Sequence, residues 1–363
     1  MKSFRDIFSS IQAANAAQTG AVGIDIGSSS IKVVEVQNRN DVLTLTTYGE
    51  LQLGPYASKE LGEAVTLESK EEQEALVDVI RESAVGVRSA VFAMPLSSSF
   101  VTNVSIEAEE DVDLAPMVRV EARKVIPASL SEVTLDWAEV ELGTDKKKND
   151  GKNRRDVLIA AIQNNALDRF KILMQFAGFK EPPTEIECFS TIRGLYSGQE
   201  KHMAIIDVGA TSTKLYIAHD GLLMRMHRVR AGGSIATQQI SKTLHIDFGD
   251  AEEKKISIDR KDKTFADIKR LHDSVYDRAF REFGQVLREY EQKTGADIDV
   301  VHMSGGAALF PGTDALLKES LRKDIEVANP FTKVAYPAFM EDTMKNIGPS
   351  FTVALGAALR NFE

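Results

Sequence analysis

A chain of 363 residues exceeds one comfortable hydrophobic core, so two lobes or one domain with a sizeable insertion are expected. Its composition of 43% hydrophobic and 27% charged residues is ordinary for a globular protein and excludes a largely disordered or fibrous chain. The formal charge of -10 argues against nucleic acid as a partner, and the single cysteine, Cys188, forbids an intrachain disulfide and fits a reducing compartment.

No stretch approaches the roughly 18 consecutive apolar residues of a membrane span, and the start lacks the apolar core of a signal peptide, so the cytoplasm is the expected location. Phe4, Ile7, Phe8 and Ile11 would line one face of a short helix within an N-terminal segment over 1–20. No function is assigned there. The next segment, AVGIDIGSSSIKVVEVQ, predicts two strands joined by a tight turn, and VLTLTTYGELQL a third. EEQEALVDVIRESA predicts a helix and VRSAVFAMP a buried strand, completing the first lobe over 21–95.

An excursion over 96–178 follows: strand (SFVTNVSIEA), helix (APMVRVEARKVI), strand (TLDWAEVEL), a charged loop over 144–156, strand (DVLIAAI) and helix (NALDRFKILMQFAG). This is a small inserted α+β subdomain. Its charged loop is expected to be a solvated connection. Residues 179–200 return to the first lobe and connect the lobes. The second lobe, 201–345, reopens the meander with MAIIDVGATSTKLYIAHDG and LLMRMHRVR, adds a long helix near Asp273–Lys293, and reaches VVHMSGGAALFPG. A terminal helix is expected over 346–363, close-packed through Ala and Gly at helical spacing.

The second meander repeats the first: Asp25, Gly27, Ser30 and Lys32 return as Asp207, Gly209, Ser212 and Lys214, always 182 residues apart. Two half-chains that each open on a hairpin carrying Asp-x-Gly suggest similar lobes addressing one ligand. A triphosphate needs backbone N–H donors, little bulk at the point of approach, and carboxylates to hold a hydrated cation. Gly27 with Ser28, Ser29 and Ser30, and Gly209 with Ala210, Thr211 and Ser212, supply the first two. Asp25 and Asp207 would orient the waters of a magnesium ion, and Lys32 would add charge near the terminal phosphates. Ser304, Gly305 and Gly306 would let a flat base approach bare backbone. Two further segments fit the same pocket: Gly232 and Gly233 begin a turn leading into a helix, and Glu252 and Lys255 would reach ribose hydroxyls or form a plain i,i+3 ion pair. Glu187, in the connection between lobes, is the candidate for orienting an attacking water, beside the ordinary roles of such acids as helix caps or surface charges.

The order of these motifs resembles the actin, hexokinase and heat-shock chaperone superfamily, whose fold is α/β: a two-lobe, duplicated ribonuclease-H-like architecture. Within it, GIDIGSSSIKVVEV, EARKVIPASLSEVTLDWAEV (with Glu121, Ile126, Pro127, Leu135 and Asp136 at matching positions), ECFSTIR, and GGSIATQQI through AEEKK resemble the PilM family of type IV pilus assembly, over Val22–Leu359. Arg123, Lys124 and Val125 depart from the residues usual before the Ile-Pro pair, and the 144–156 loop is longer than usual. The resemblance implies ATP and magnesium as cofactors. It also implies a groove between the insertion and the first lobe for the N-terminal cytoplasmic tail of a PilN-like single-pass membrane protein. Peripheral association with the inner membrane through partners follows, with other pilus components and self-association left open. Two alternatives stand beside it: an FtsA-like division protein, which resembles this sequence less, and a small-molecule kinase of the same superfamily.

Overall fold

The computed structural model describes residues 19–109, 111–140, 153–179 and 183–363. The proposed N-terminal helix face and most of the charged loop lie outside these residues.

The first half opens with β1 (Gly20–Ile26), β2 (Ser30–Arg39) and β3 (Val42–Gln52), an antiparallel meander. Helix α1 (Ser69–Glu82) then leads to β4 (Ala90–Met94), which runs parallel to β1. The insertion comprises β5 (Ser99–Ala108), α2 (Ala115–Val125), β6 (Val133–Val140), β7 (Asn153–Gln163) and α3 (Asn164–Phe176), its strands forming an antiparallel sheet ordered β5-β7-β6. The strand expected to begin at Asp156 starts earlier, at Asn153, because Arg154–Asp156 pair with Ser105–Glu107 of β5. The short β8 (Thr184–Ile186) closes the first sheet beside β4, and α4 (Glu187–Leu195) leaves it.

The second half repeats this plan. β9 (His202–Val208), β10 (Thr213–His219) and β11 (Leu222–Val229) form the meander. Helices α5 (Gly233–Leu244), α6 (Phe248–Ser257) and α7 (Phe265–Thr294) follow, then β12 (Val300–Ser304) parallel to β9. Helix α8 (Thr313–Leu321), β13 (Glu326–Val327) and α9 (Glu341–Leu359) complete it. The two five-stranded sheets have the orders β3-β2-β1-β4-β8 and β11-β10-β9-β12-β13, the same topology twice. β1 and β9 sit 182 residues apart from end to end, as the repeated residues do.

Strand β1 is buried almost throughout, as expected of a strand covered on both faces. Val22, Ile24 and Ile26 pack with α1 and α3, and α9 lies along β1, β2 and β4 on the opposite face. The contact there is so close that a Cβ on Gly23 would run into the Ala354 carbonyl. In the second half, Tyr276, Phe280, Phe283, Leu287 and Tyr290 recur at helical spacing along α7 and cover Ile206, Val208, Leu215 and Ile217. Fully burying a side chain such as Phe280 or Phe283 contributes roughly 1.5–3 kcal/mol.

Helices α4 and α9 pack on each other between the sheets, and a Cβ on Gly356 would collide with the Ser190 carbonyl. The chain returns to the first sheet earlier than the expected boundary at 345. Phe331 and Val334 already pack with Val34, Val36 and Leu45, and Ala335 donates its N–H to Leu43. The insertion is also less separate than its sequence suggests. One face of its sheet has its own core under α2, but Val101, Leu158, Ala160 and Ile162 join the main core, and Asn103 Nδ2 donates to the Leu223 and Met224 carbonyls of β11.

Candidate functional site

The two hairpin turns have the same local geometry. Gly27 N–H donates to the Ser30 carbonyl at 3.0 Å and Gly209 N–H to that of Ser212 at 3.1 Å. The tips meet across the lobes, with Ser28 Oγ and Thr211 Oγ1 3.3 Å apart. A cleft of about 370 Å³ opens beside them. Asp25, Gly27, Ser28, Ser29, Ser30, Lys32, Glu187, Asp207, Gly209, Ala210, Thr211, Ser212, Gly233, Glu252, Lys255, Ser304, Gly305 and Gly306 all line it. Segments chosen from the sequence and scattered between Asp25 and Gly306 therefore converge.

Gly232 is the exception: it is not among the residues that line the cleft. It stands behind the second tip, where any Cβ would strike the Ala210 carbonyl. Gly233 and Ser234 donate their N–H groups to the Gly209 and Ala210 carbonyls, so this turn braces the hairpin. Gly305 is needed twice over: its φ is +91°, and a Cβ there would stand 2.7 Å from Asp207 Oδ1. Its N–H and the Ser304 hydroxyl both donate to the Pro349 carbonyl, at 2.8 and 3.0 Å, fastening this motif to α9. Ser304 is therefore a structural anchor at the cleft wall.

Each half carries a row of charges across its meander. In the first, Asp25 lies opposite Lys32 and Lys32 opposite Glu50; in the second, Asp207 lies opposite Lys214 and Lys214 opposite Arg228. Lys32 pairs with Glu50 at the cleft at 3.1 Å and donates to Ser30 Oγ at 2.6 Å. Lys214 turns inward, to Asp207 Oδ2 at 3.0 Å and Glu187 Oε2 at 2.8 Å. Burial works against the Lys214 ammonium, but Asp207 and Glu187 together hold its pKa above the usual lysine value. The other Glu187 oxygen accepts the Leu96 N–H at 2.8 Å. Both oxygens of the expected catalytic acid are thus engaged, and in this geometry Glu187 positions Lys214.

Burial raises the pKa of Asp25 from 3.8 to about 6; Glu187 and Asp207 add to the rise, while Lys32 and Lys214 oppose it. A carboxyl whose folded pKa lies above its unfolded value keeps its proton longer in the native state. Its contribution to stability is therefore present at low pH and lost as pH rises through the interval from 3.8 to about 6. Across that interval the nucleotide-free protein is expected to lose stability relative to an Asp25→Asn variant, with a constant difference above it. Urea unfolding at stepped pH checks this, and parallel curves for the two proteins would show that Asp25 titrates normally.

At the far end of the cleft, Glu252 and Lys255 form the i,i+3 pair at 2.6 Å, yet Lys255 is buried, Glu252 half-buried, and both line the cavity. Lys255 also donates to Thr237 Oγ1 at 2.7 Å, and burial lowers its pKa against the pull of Glu252. Glu252 packs beneath Gly62, and Ala64 N–H donates to Ser234 Oγ at 3.1 Å, so the loop after β3 is fastened across the cleft. Sequence reasoning missed the floor here. His272 and Tyr276 are one turn apart on α7, 1% and 0% exposed, and line the cavity. His272 stacks on Phe310 with ring centroids 3.9 Å apart, and its Nδ1 lies 3.3 Å from Asp273 Oδ1. His272 Nε2 and the Tyr276 hydroxyl have no hydrogen-bond partner among the described residues. Ile256 and Leu309, 73% and 45% exposed, stand at the cavity wall. A histidine and tyrosine at i,i+4 and an isoleucine directly after AEEKK were the available signals, and each reads equally well as ordinary helix packing.

Two sheets of identical topology around one cleft, with glycine-tipped hairpins from both halves, define an actin-like protein. Solved structures agree on the fold. EutJ, an ethanolamine utilization protein from Carboxydothermus hydrogenoformans, matches at a TM-score of 0.54 and 15% identity, covering 98% of this chain and 94% of that one. MreB5 of Spiroplasma citri bound to ADP matches at 0.52 and 12%, covering 91% and 98%. A PilM-PilN type IV pilus biogenesis complex matches at 0.77 and 23%, covering 94% and 98%. The family model of the type IV pilus assembly protein PilM matches residues 23–362, and the chain belongs to that family.

Proposed function

We propose that this protein is a magnesium-nucleotide-dependent switch of type IV pilus assembly, with ATP as the nucleotide and the N-terminal cytoplasmic tail of a PilN-like single-pass membrane protein as its partner. The observation that carries the nucleotide reading is the meeting of two matched Asp-x-Gly hairpins at one cleft. The donor set fits the cofactor. Backbone and hydroxyl groups at 27–30 and 209–212 would cradle the phosphates, while Asp25 and Asp207 would hold magnesium. No group of three or more metal-ligating side chains converges among the described residues, and Asp207 is already paired with Lys214. The ion would therefore be held through its waters and the phosphate oxygens. The orphaned His272 Nε2 and Tyr276 hydroxyl suit a polar base or ribose, which would relieve the cost of leaving buried polar groups unpaired. When bound, the magnesium nucleotide supplies charge that both lobes share, and lobe closure is what this chain's residues add.

Ile256 and Leu309 would bracket the base, since both are apolar, exposed and at the cavity wall. Ile256→Asp is expected to weaken nucleotide binding about tenfold, a cost of about 1.4 kcal/mol, without lowering stability. Titration with a fluorescent ATP analogue reads this, and an unchanged affinity would place the base elsewhere.

Family membership and the insertion support the partner reading, together with the likeness to a structure solved as a complex with PilN. Among the described residues no helix is long and apolar enough to cross a membrane, so peripheral attachment through such a partner accounts for action at the inner membrane. The test is titration of the full chain with the N-terminal tail peptide of a PilN-like protein, with and without magnesium ATP. Saturable binding whose affinity changes with nucleotide is the expected result. No binding would overturn the partner, and binding indifferent to nucleotide would overturn the switch.

A further inference from the structure

The floor of the cleft holds two polar atoms that its packing leaves unanswered. His272 Nε2 and the Tyr276 hydroxyl have no hydrogen-bond partner among the described residues, although their side chains are buried and line the cavity. A buried polar group left unpaired destabilises the empty protein, so a ligand that supplies the missing partner recovers what folding lost.

The tautomer of His272 follows from its other nitrogen. Nδ1 lies 3.3 Å from Asp273 Oδ1, and an ionised carboxylate only accepts, so Nδ1 carries the proton of a neutral ring. Burial works against the Asp273 charge, but His272 and Lys269 together hold its carboxyl below the usual range. Burial also keeps the imidazole neutral, lowering its pKa against the pull of Asp273. Nε2 is then a bare lone pair in the floor, an acceptor that needs a donor.

Its neighbours place that acceptor on the base side of the cleft. His272 stacks on Phe310 with the ring planes 16° from parallel, and Phe310 ends the run that begins at the bare glycines Gly305 and Gly306 and also lines the cavity. Glu252 and Lys255, the pair suited to ribose hydroxyls, already bond to each other and to Thr237. Adenine presents an exocyclic amine, a donor, where guanine and hypoxanthine present a carbonyl. Tyr276, one turn further along α7, has a hydroxyl that can donate to the ring nitrogen beside that amine.

We propose that His272 is the specificity-determining residue of the cleft: its Nε2 accepts from the 6-amino group of adenine and rejects bases that carry a carbonyl there. The inference deepens the nucleotide reading and rests on it. The hairpin tips would hold ATP and inosine triphosphate alike, because the two differ only in the base.

The experiment is calorimetric titration of the full-length protein with magnesium ATP and with magnesium inosine triphosphate, in the parent, in His272→Phe and in His272→Gln. His272→Phe keeps a ring to stack on Phe310 and deletes both nitrogens. The parent is expected to bind ATP at least about tenfold more tightly than inosine triphosphate. His272→Phe is expected to weaken ATP about tenfold and to leave inosine triphosphate within about twofold, erasing the preference. His272→Gln, whose carbonyl can accept, restores part of it. The urea midpoint of His272→Phe holds or rises, because carbon replaces an unpaired buried acceptor, and this separates lost selection from lost fold. Unchanged ATP affinity in His272→Phe, or equal weakening of both nucleotides, would overturn the proposal, the second by setting the acceptor against the shared ribose. Equal affinity of the parent for both would overturn it too and leave the nucleotide reading intact. Binding of neither nucleotide to the parent would sink the nucleotide reading, and base selection with it.

Discussion

Asp207→Ala is expected to weaken ATP binding in magnesium about a hundredfold, a cost of about 2.7 kcal/mol, and to abolish the difference between magnesium and chelator. The reasoning starts from the charges around the residue. Asp207 is 6% exposed and holds Lys214 at 3.0 Å, while Gly305 packs against its carboxylate. Its removal takes away one of the two acids available to the hydrated ion. It also loosens Lys214, whose ammonium then competes with magnesium for the same phosphates. In chelator that lysine can substitute for the missing cation, so affinity there should hold or rise. Fluorescent-nucleotide titrations in magnesium and in chelator measure both limbs. A uniform loss in the two conditions would mean that Asp207 matters only for folding, and the shared-magnesium reading would fail.

Glu185→Ala is expected to lower stability by about 3–5 kcal/mol, the usual consequence of removing one partner from a buried ion pair. Glu185 is 3% exposed and accepts from Arg193 Nη2 at 3.0 Å and from the Ser190 hydroxyl at 2.5 Å. Arg360 lies 3.7 Å away, and Arg193 reaches Glu363 at 2.8 Å. Burial alone would depress the pKa of Arg193, yet Glu185 and Glu363 hold it above the ordinary value; for Arg360 burial wins and the pKa is lowered. Without Glu185, two largely buried guanidinium groups remain at the junction of α4 and α9, with Glu363 at the edge as their only acid among the described residues. That junction joins the lobes, so the loss should appear as a lower urea midpoint. Arg193→Met removes a charge instead of orphaning two, and the double variant Glu185→Ala with Arg193→Met should recover part of the deficit. A single variant as stable as the parent would show that the cluster contributes no net stability.

The lining of the cleft was more legible in the sequence than the fold around it because the pattern that marks it is local. A turn that admits a phosphate needs glycine and hydroxyl residues in a fixed order, and the register that sets Asp25 opposite Lys32 follows from a two-residue tip at Ser28 and Ser29. The repeat then carries the same order to Asp207 and Lys214. Gly232 stands behind the second tip and off the cleft lining, and a glycine bracing a turn and a glycine facing a cleft look alike in sequence. Glu187 was chosen as an isolated acid, and only its neighbours, Leu96 N–H and Lys214, reveal that both its oxygens are engaged.

By itself the sequence determined the duplicated meanders, the glycine tips and the order of acids and lysines along them, since hydrogen-bond register and turn chemistry act over a few residues. Only the tertiary structure decided that α9 crosses to the first sheet and that the insertion shares the first lobe's core. It also decided that His272 and Tyr276 leave polar atoms without a partner among the described residues beneath the cleft. Those outcomes depend on contacts between segments far apart in the chain, where packing and desolvation, not local spacing, select among faces that the sequence leaves equivalent.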